Sequence, residues 1–494
     1  MFDFKFKLSL NFRAIVKITG GIAMVFSLAM LPSLVVAVYY GEYICTKVFI
    51  STIIITGLTG FFIRKVIPSS KKALRLRESF MVVAMFWLIA SVIGMMPYIF
   101  SGAIPDIFSA FFETVSGLTT TGSTILTDVE KLPKSILFWR SFTHWIGGMG
   151  ILIFAIALLP TLGLFGQNIA KAESPGPTLS KISPKMSDTA RILYGIYGCL
   201  TLIELMLLKL GGLSWFDSMI HTFGTVGTGG FSCYNDSISH FNSLYVEIVI
   251  GVFMILAGIN FNLYYFFVKR KWENIKGNTE LKVYLGIIIS FVAILTCYLT
   301  IMGTVSGLKE GLRVSFFQVA ALITTTGYCT ADFNIWPTFA TILLFALIFS
   351  GGCSSSTSGG IKIVRISIWF KMIKQGFANR LHPRAVVPVK LEGRNVPAET
   401  LSGITSFLLL YLATFVIGTV IISLENFDMV TCISSVATCL GNVGPGFSKV
   451  GPVMNFSIFS NFSKFVLSIL MLIGRLELFT IILLFTPAYW RKNR

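Results

Sequence analysis

Leu322-Ile323-Thr324-Thr325-Thr326-Gly327-Tyr328 sets three threonines and a glycine between two long apolar segments. Aligned on that glycine, four stretches of the chain match one another. They read FFETVSGLTTTG (Phe111 to Gly122), SMIHTFGTVGTG (Ser218 to Gly229), FFQVAALITTTG (Phe316 to Gly327) and ISSVATCLGNVG (Ile433 to Gly444). The aligned glycines are 107, 98 and 117 residues apart. Each copy is a short apolar segment that as a helix would be too short to cross a bilayer. Each then breaks into residues whose backbone can be extended or left-handed. Four such units would set four strips of backbone carbonyls around one axis, which is how a cation filter is built.

Composition fixes the setting. The chain of 494 residues is 54% hydrophobic and 13% charged, with a mean hydropathy of +0.79. That is the composition of an all-α polytopic membrane protein and excludes a soluble domain. The 44 glycines suit helices packed in lipid, where a missing side chain lets backbones approach. The eight cysteines lack metal-ligand spacing, and Cys199, Cys297 and Cys353 read as buried small hydrophobes.

Ten apolar spans are expected, near 14–39, 46–66, 79–100, 136–160, 190–210, 244–268, 280–302, 337–373, 401–424 and 464–489. With both termini inside, the segments 1–13, 64–78, 161–189, 269–279, 374–400 and 490–494 hold most of the lysine and arginine. The outside segments hold Asp106, Asp128, Glu130, Asp217, Asp236, Asp332, Glu425 and Asp428. This positive-inside bias accounts for the net charge of +18 without a nucleic-acid partner. It also puts all four Thr/Gly loops outside. The expected organisation is two N-terminal helices (1–78) and four span–pore-helix–span repeats (79–165, 190–270, 280–373, 401–494). Cytoplasmic loops fall at 166–189, 271–279 and 374–400.

A short helix aimed into the membrane presents its partially negative C-terminal end to the centre, which favours a cation. Thr121, Thr228 and Thr326 precede the aligned glycines in three units, and Val443 follows Asn442 in the fourth. Thr120, Gly227, Thr325 and Asn442 flank them. One such loop would read as an ordinary helix-connecting turn. Four in register, on one membrane side, point to a common role.

TTTGST (119–124), GTGGFS (227–232), TTTGY (324–328) and GNVGPGF (441–447) resemble the four filter loops of the TrkH/TrkG potassium-uptake proteins of the Trk/Ktr/HKT superfamily. GGCSSSTSGGIKIVR (351–365) and GRLELFT (474–480) extend the resemblance over essentially the whole chain. The two extra N-terminal spans suit the TrkH branch. The resemblance implies filter glycines at Gly122, Gly229, Gly327 and Gly444, with K+ held by carbonyls near them. In HKT relatives a serine at the first filter position goes with sodium preference. Position 122 here is glycine, which implies potassium.

The run Gly351-Gly352-Cys353-Ser354-Ser355-Ser356-Thr357-Ser358-Gly359-Gly360 interrupts an apolar stretch and disfavours a continuous helix. It reads as a break below the third loop, or as a tight helix crossing. The resemblance implies a gate loop. Arg475 lies inside the last span with Glu477 two residues on. It reads as a charge lining the pore below the filter, which the resemblance supports, or as a structural ion pair with Glu477 or another helix. Lys362 reads as an anchor snorkelling to the cytoplasmic end. Glu113 and His221 lie in the expected pore helices and read as satisfied structural contacts, or as groups that hydrogen-bond behind the filter or bring ions to it, and His144 reads as a weak candidate for a proton site.

No Walker, Rossmann, hydrolytic or zinc motif is visible, so no enzymatic activity and no organic cofactor are expected. The resemblance further implies a bacterial cytoplasmic membrane, a homodimer and a nucleotide-binding regulatory subunit like TrkA. The basic loops 161–189 and 374–400 are the candidate docking segments, although lipid headgroups also suit them. Potassium uptake through the filter is expected to be channel-like; the alternative is K+ symport with H+ or Na+ through the same pore.

Overall fold

Four repeats of one plan account for the described residues beyond 75. The computed structural model describes residues 11–68, 76–150 and 186–490. The first ten residues and most of the expected 166–189 loop lie outside the described residues. Each repeat begins with a long helix: Leu76–Phe100, Met186–Leu210, Thr279–Ile301 and Ala398–Ile422. A short helix follows: Ile107–Leu118, Trp215–Val226, Leu308–Ile323 and Met429–Gly441. An irregular strip then leads into a second helix, beginning at Lys134, Leu244, Thr338 and Asn461. The charge on the outer segments has a local use here. Asp106 and Asp428 cap the first and fourth short helices, accepting from Ser109 N at 2.8 Å and Thr431 N at 3.0 Å. Ser214 caps the second.

Among the described residues six helices are long and apolar enough to cross a membrane, or eight if each of two bent pairs counts as one span. Within the expected spans at 244–268 and 464–489 the helices are bent by 93° and 112°. In the second repeat Leu244–Ala257 gives way to Phe261–Val268, the latter capped by Asn260, whose side chain accepts from Asn262 N. In the fourth, Glu477 and Leu478 take left-handed φ of 55° and 58°. The third repeat breaks between Thr338–Phe349 and Ile363–Leu381, and in the first the helix ends at Gly148. Among the described residues, a broken second helix is thus a property of the second, third and fourth repeats, not of the third alone.

Backbone groups freed at these breaks would be costly in lipid, and other breaks satisfy them. Gly258 O accepts from Cys353 N at 2.8 Å, while Gly147 O and Gly148 O accept from Arg475 at 2.6 and 2.8 Å. The N-terminal helices, Phe12–Leu28 continued by Leu31–Tyr39, and Tyr43–Val66, cover the first repeat. They cross closely: a Cβ on Gly60 would lie 2.6 Å from Gly20 O. The first long helix is enclosed, with 61% of its apolar window buried, against 22% for those of the second and fourth repeats.

Candidate functional site

The four strips close into a ring. A Cβ built on Gly122 would strike Gly229 O, one on Gly230 would strike Thr326 O, and one on Gly327 would strike Val443 O. One on Gly444 would lie 2.8 Å from Thr121 O. The first strip therefore abuts the second, the second the third, the third the fourth, and the fourth the first. The ring glycines have φ of 83°, 77°, 77° and 105°, a region that L side chains rarely adopt. Gly122, Gly230, Gly327 and Gly444 together line one open cavity on the side of the loops that follow the ring.

This arrangement corrects the alignment by one residue in the second repeat. Gly230, not Gly229, is the equivalent of Gly122, Gly327 and Gly444. Gly229 matches Thr121, Thr326 and Val443. Thr228 matches Thr120, Thr325 and Asn442, all four with left-handed φ of 54–57°. The hydrogen bond that ends each short helix fixes the register. Thr121, Gly229, Thr326 and Val443 each donate their N–H to the carbonyl five residues back, at Ser116, Gly224, Ala321 and Thr438. Glycine at both 229 and 230 hid this in the sequence.

With that register, a shared device appears behind the ring. The residue nine positions before each ring glycine is Glu113, His221, Gln318 or Ser435. Glu113 accepts from Thr124 Oγ1 at 2.9 Å and Ile125 N at 3.0 Å. His221 Nε2 pairs with Ser232 Oγ at 2.9 Å. The Gln318 amide oxygen, oriented by its partners, accepts from Thr330 N at 3.0 Å. In the fourth repeat the neighbour Ser434 takes the role, accepting from Phe447 N at 3.1 Å. Each short helix thus holds the outgoing arm of its own strip. His144 is likewise built in: its Nδ1 faces Gly117 O at 2.8 Å, Phe231 N donates to its Nε2 at 3.3 Å, and its ring packs on Phe231. Those partners assign the neutral tautomer with the proton on Nδ1 and make His144 a prop between the first two repeats.

Arg140, buried at 2% exposure, was not anticipated. Its Nε donates to Glu113 Oε1 at 2.6 Å and its Nη1 to Ser232 O at 2.9 Å. A lone arginine in the apolar span 136–160 was the available signal.

Directly inward of the ring lies the 351–360 segment, mostly buried. Its ends pair, with Gly351 N donating to Ile361 O at 2.8 Å and Ile361 N to Phe349 O at 3.1 Å. Gly359 N donates to Thr325 Oγ1 at 2.6 Å, so the segment touches the ring itself. Glu280 holds it from the start of the third long helix, accepting from Ser354 N, Ser354 Oγ and Val364 N at 2.6, 2.7 and 3.1 Å. Ser355 O and Gly258 O join it to the break in the second repeat, through Phe261 N and Cys353 N.

Arg475 connects ring, segment and first repeat. It donates to Thr120 Oγ1 at 3.2 Å, Thr357 O at 2.8 Å and the carbonyls of Gly147 and Gly148. Glu477 turns instead to Arg365, so the two near neighbours are not an ion pair with each other. Lys362 does not snorkel outward. Its ammonium folds back onto Ser358 O.

Comparison with known proteins agrees with this architecture. The family model TrkH, described as a cation transport protein, matches residues 44–492. The Trk system potassium uptake protein TrkH of Escherichia coli K12 is 35% identical over 488 residues, 98% of this chain and 100% of that protein. TrkH of Halomonas elongata is 34% identical over 98% of this chain and 100% of its own length. TrkG of Escherichia coli K12 is 34% identical over 97% of this chain and 99% of its own. The crystal structure of the potassium transporter TrkH from Vibrio parahaemolyticus superposes with a TM-score of 0.87 at 31% identity, over 98% of this chain and 100% of that one. The chain belongs to the TrkH family of cation transport proteins.

Proposed function

We propose that this protein imports potassium across the bacterial cytoplasmic membrane through the four-strip ring, in a channel-like manner, with the 351–360 segment as its gate. The closed ring of Thr121, Gly229, Thr326 and Val443 carbonyls at the ends of four short helices is the observation that carries this reading. A potassium ion arriving from outside sheds water and is coordinated by these carbonyls. The short-helix C-termini stabilise it there. It then passes inward when the segment leaves Thr325 and Glu280. The membrane potential drives this flow at about 2.3 kcal/mol per charge per 100 mV. The ring is short, so the preference for K+ and Rb+ over Na+ is modest.

The uptake subunit works as a homodimer in contact with membrane lipid, with both termini inside. A nucleotide-binding subunit of the TrkA kind docks on the basic loop 374–400 and drives the gate. Several relatives are named as parts of a Trk system, which supports such an assembly.

Growth at low K+ of a bacterial strain lacking its own potassium importers tests the reading. Wild type is expected to support growth. Gly327→Ser is expected to abolish it, since φ is 77° there and a Cβ would strike Val443 O. Unimpaired growth with the serine variant would mean that the ion passes elsewhere.

A further inference from the structure

The four quadrants behind the ring are not equivalent. In the second, third and fourth repeats, neutral groups hold the outgoing arm: His221, Gln318 and Ser434. In the first, a carboxylate does so, and it is paired. Glu113 is fully buried and Arg140 is 2% exposed. Their Nε–Oε1 contact is 2.6 Å. Arg140 continues across the junction to Ser232 O at 2.9 Å, and its guanidinium lies 3.5 Å from the centroid of the Phe231 ring. Through Glu113 the same guanidinium reaches Thr124 and Ile125 of the first strip. One planar group therefore fastens the first strip to the second, within three residues of Gly122 and two of Gly230.

At the strips themselves neutral contacts make the other junctions; the Arg313–Glu247 ion pair that also joins the second and third repeats lies between their helices, with Arg313 35% exposed. Asn334 and Ser448 exchange two hydrogen bonds between the third and fourth repeats, at 3.0 and 3.1 Å. Ser123 Oγ donates to Gly444 O at 2.9 Å between the first and fourth. Tyr328 OH donates to Phe231 O at 3.2 Å between the second and third. A buried ion pair is costly to assemble and is not a general means of adding stability. It does supply fixed geometry: a planar guanidinium whose Nε and Nη1 donate to Glu113 and to Ser232 O cannot follow two strips that drift apart. Arg140 also forms part of the wall of the open cavity, where an unpaired positive charge would repel the incoming cation.

We infer that Arg140 and Glu113 are positioning residues that lock the spacing of the first and second strips and so set how well the ring tells K+ from Na+. Neither touches the ion. The inference rests on the ring being the filter. A ring whose strips are held apart cannot close around the smaller ion, whereas one released at a single junction can.

Two variants test it. Glu113→Gln with Arg140→Met removes both charges together and keeps a Gln-type hold on the first arm, as in the third repeat. Arg140→Lys keeps the charge but loses the fork that reaches Ser232. The measurement is the ratio of initial Rb+ to Na+ uptake in the importer-deficient strain, at matched protein levels. A second readout needs no transport: the K+ and Na+ concentrations that raise the melting temperature of the detergent-purified protein. Wild type is expected to favour K+ and Rb+ in both. Each variant is expected to keep its uptake of Rb+ and to lose discrimination by about tenfold, the size of one charged hydrogen-bond contact. A purely structural role would lower the amount of protein and leave the ratio unchanged. Wild-type ratios in both variants would overturn the inference and leave the filter reading intact. A wild type that fails to distinguish the ions in either readout would overturn the filter reading and this inference with it.

Discussion

Arg475 and Arg365 both place a positive charge among the helices, and their described partners differ in kind. Arg475 divides its donors among the Thr120 hydroxyl and the carbonyls of Thr357, Gly147 and Gly148, drawing on the first and third repeats. Arg365 takes a full counter-charge from Glu477 and lies 4.1 Å from the centroid of the Phe407 ring. The Arg365–Glu477 pair is therefore replaceable only as a unit. Arg365→Met alone strands the Glu477 carboxylate and is expected to cost about 3–5 kcal/mol. Arg365→Met with Glu477→Leu is expected to recover most of that loss, read as the melting temperature in detergent. Glu204 offers the opposite case. It is fully buried in the second long helix, and Thr225 is the polar side chain beside its carboxylate, although the Thr225 hydroxyl donates to His221 O. Glu204→Gln removes the part that desolvation penalises and keeps the shape. Its melting temperature is expected to match or exceed that of wild type, and a large fall would show that the carboxylate has a working partner.

At the scale of the element, the short helices are set by their caps. Asp106 sits at the outer surface, where burial opposes its charge but the Ser109 hydrogen bonds, with Lys464 nearby, keep its carboxyl below the usual carboxylate value. Its contribution is thus complete above about pH 4, the unfolded carboxylate value, and is lost as pH falls through the lower folded value. Asp106→Ala is expected to cost about 1 kcal/mol at neutral pH. The gap in melting temperature between wild type and variant should close on acidification below about pH 4. The 351–360 segment gives a second test. Cys353 is fully buried, and Glu280 is the carboxylate that holds its neighbour Ser354. Glu280→Ala releases three hydrogen bonds to a charged group. In a background with the other cysteines replaced, it is expected to speed maleimide labelling of Cys353 by roughly tenfold or more. An unchanged rate would mean that Glu280 does not restrain the segment.

At the scale of the molecule, repetition made the architecture readable. Four Thr/Gly loops in a chain of +0.79 mean hydropathy leave few ways to satisfy backbone groups in lipid. What stayed hidden was whatever depends on register or on contacts between repeats. The second strip was misaligned because glycines stand at both 229 and 230, and composition cannot tell which one carries the positive φ. The breaks at 258–260 and 476–478 lack the density of Gly and Ser that marks 351–360; they are sustained by partners from other repeats, which no local window contains. Arg475 and Glu477 are two residues apart in sequence, yet their partners are more than 100 residues away in each case, at Thr357 and Arg365.

The ring is made from one chain, and its junctions differ in chemistry. In a pore assembled from identical subunits, any substitution is copied into every quadrant at once and acts in multiples. Here a change at Asn334, Arg140 or Tyr328 alters a single seam and leaves the other three as they were. On the filter reading proposed above, ion preference can therefore drift in quarter steps, and the quadrants are free to specialise: one to fix spacing, another to meet the 351–360 segment.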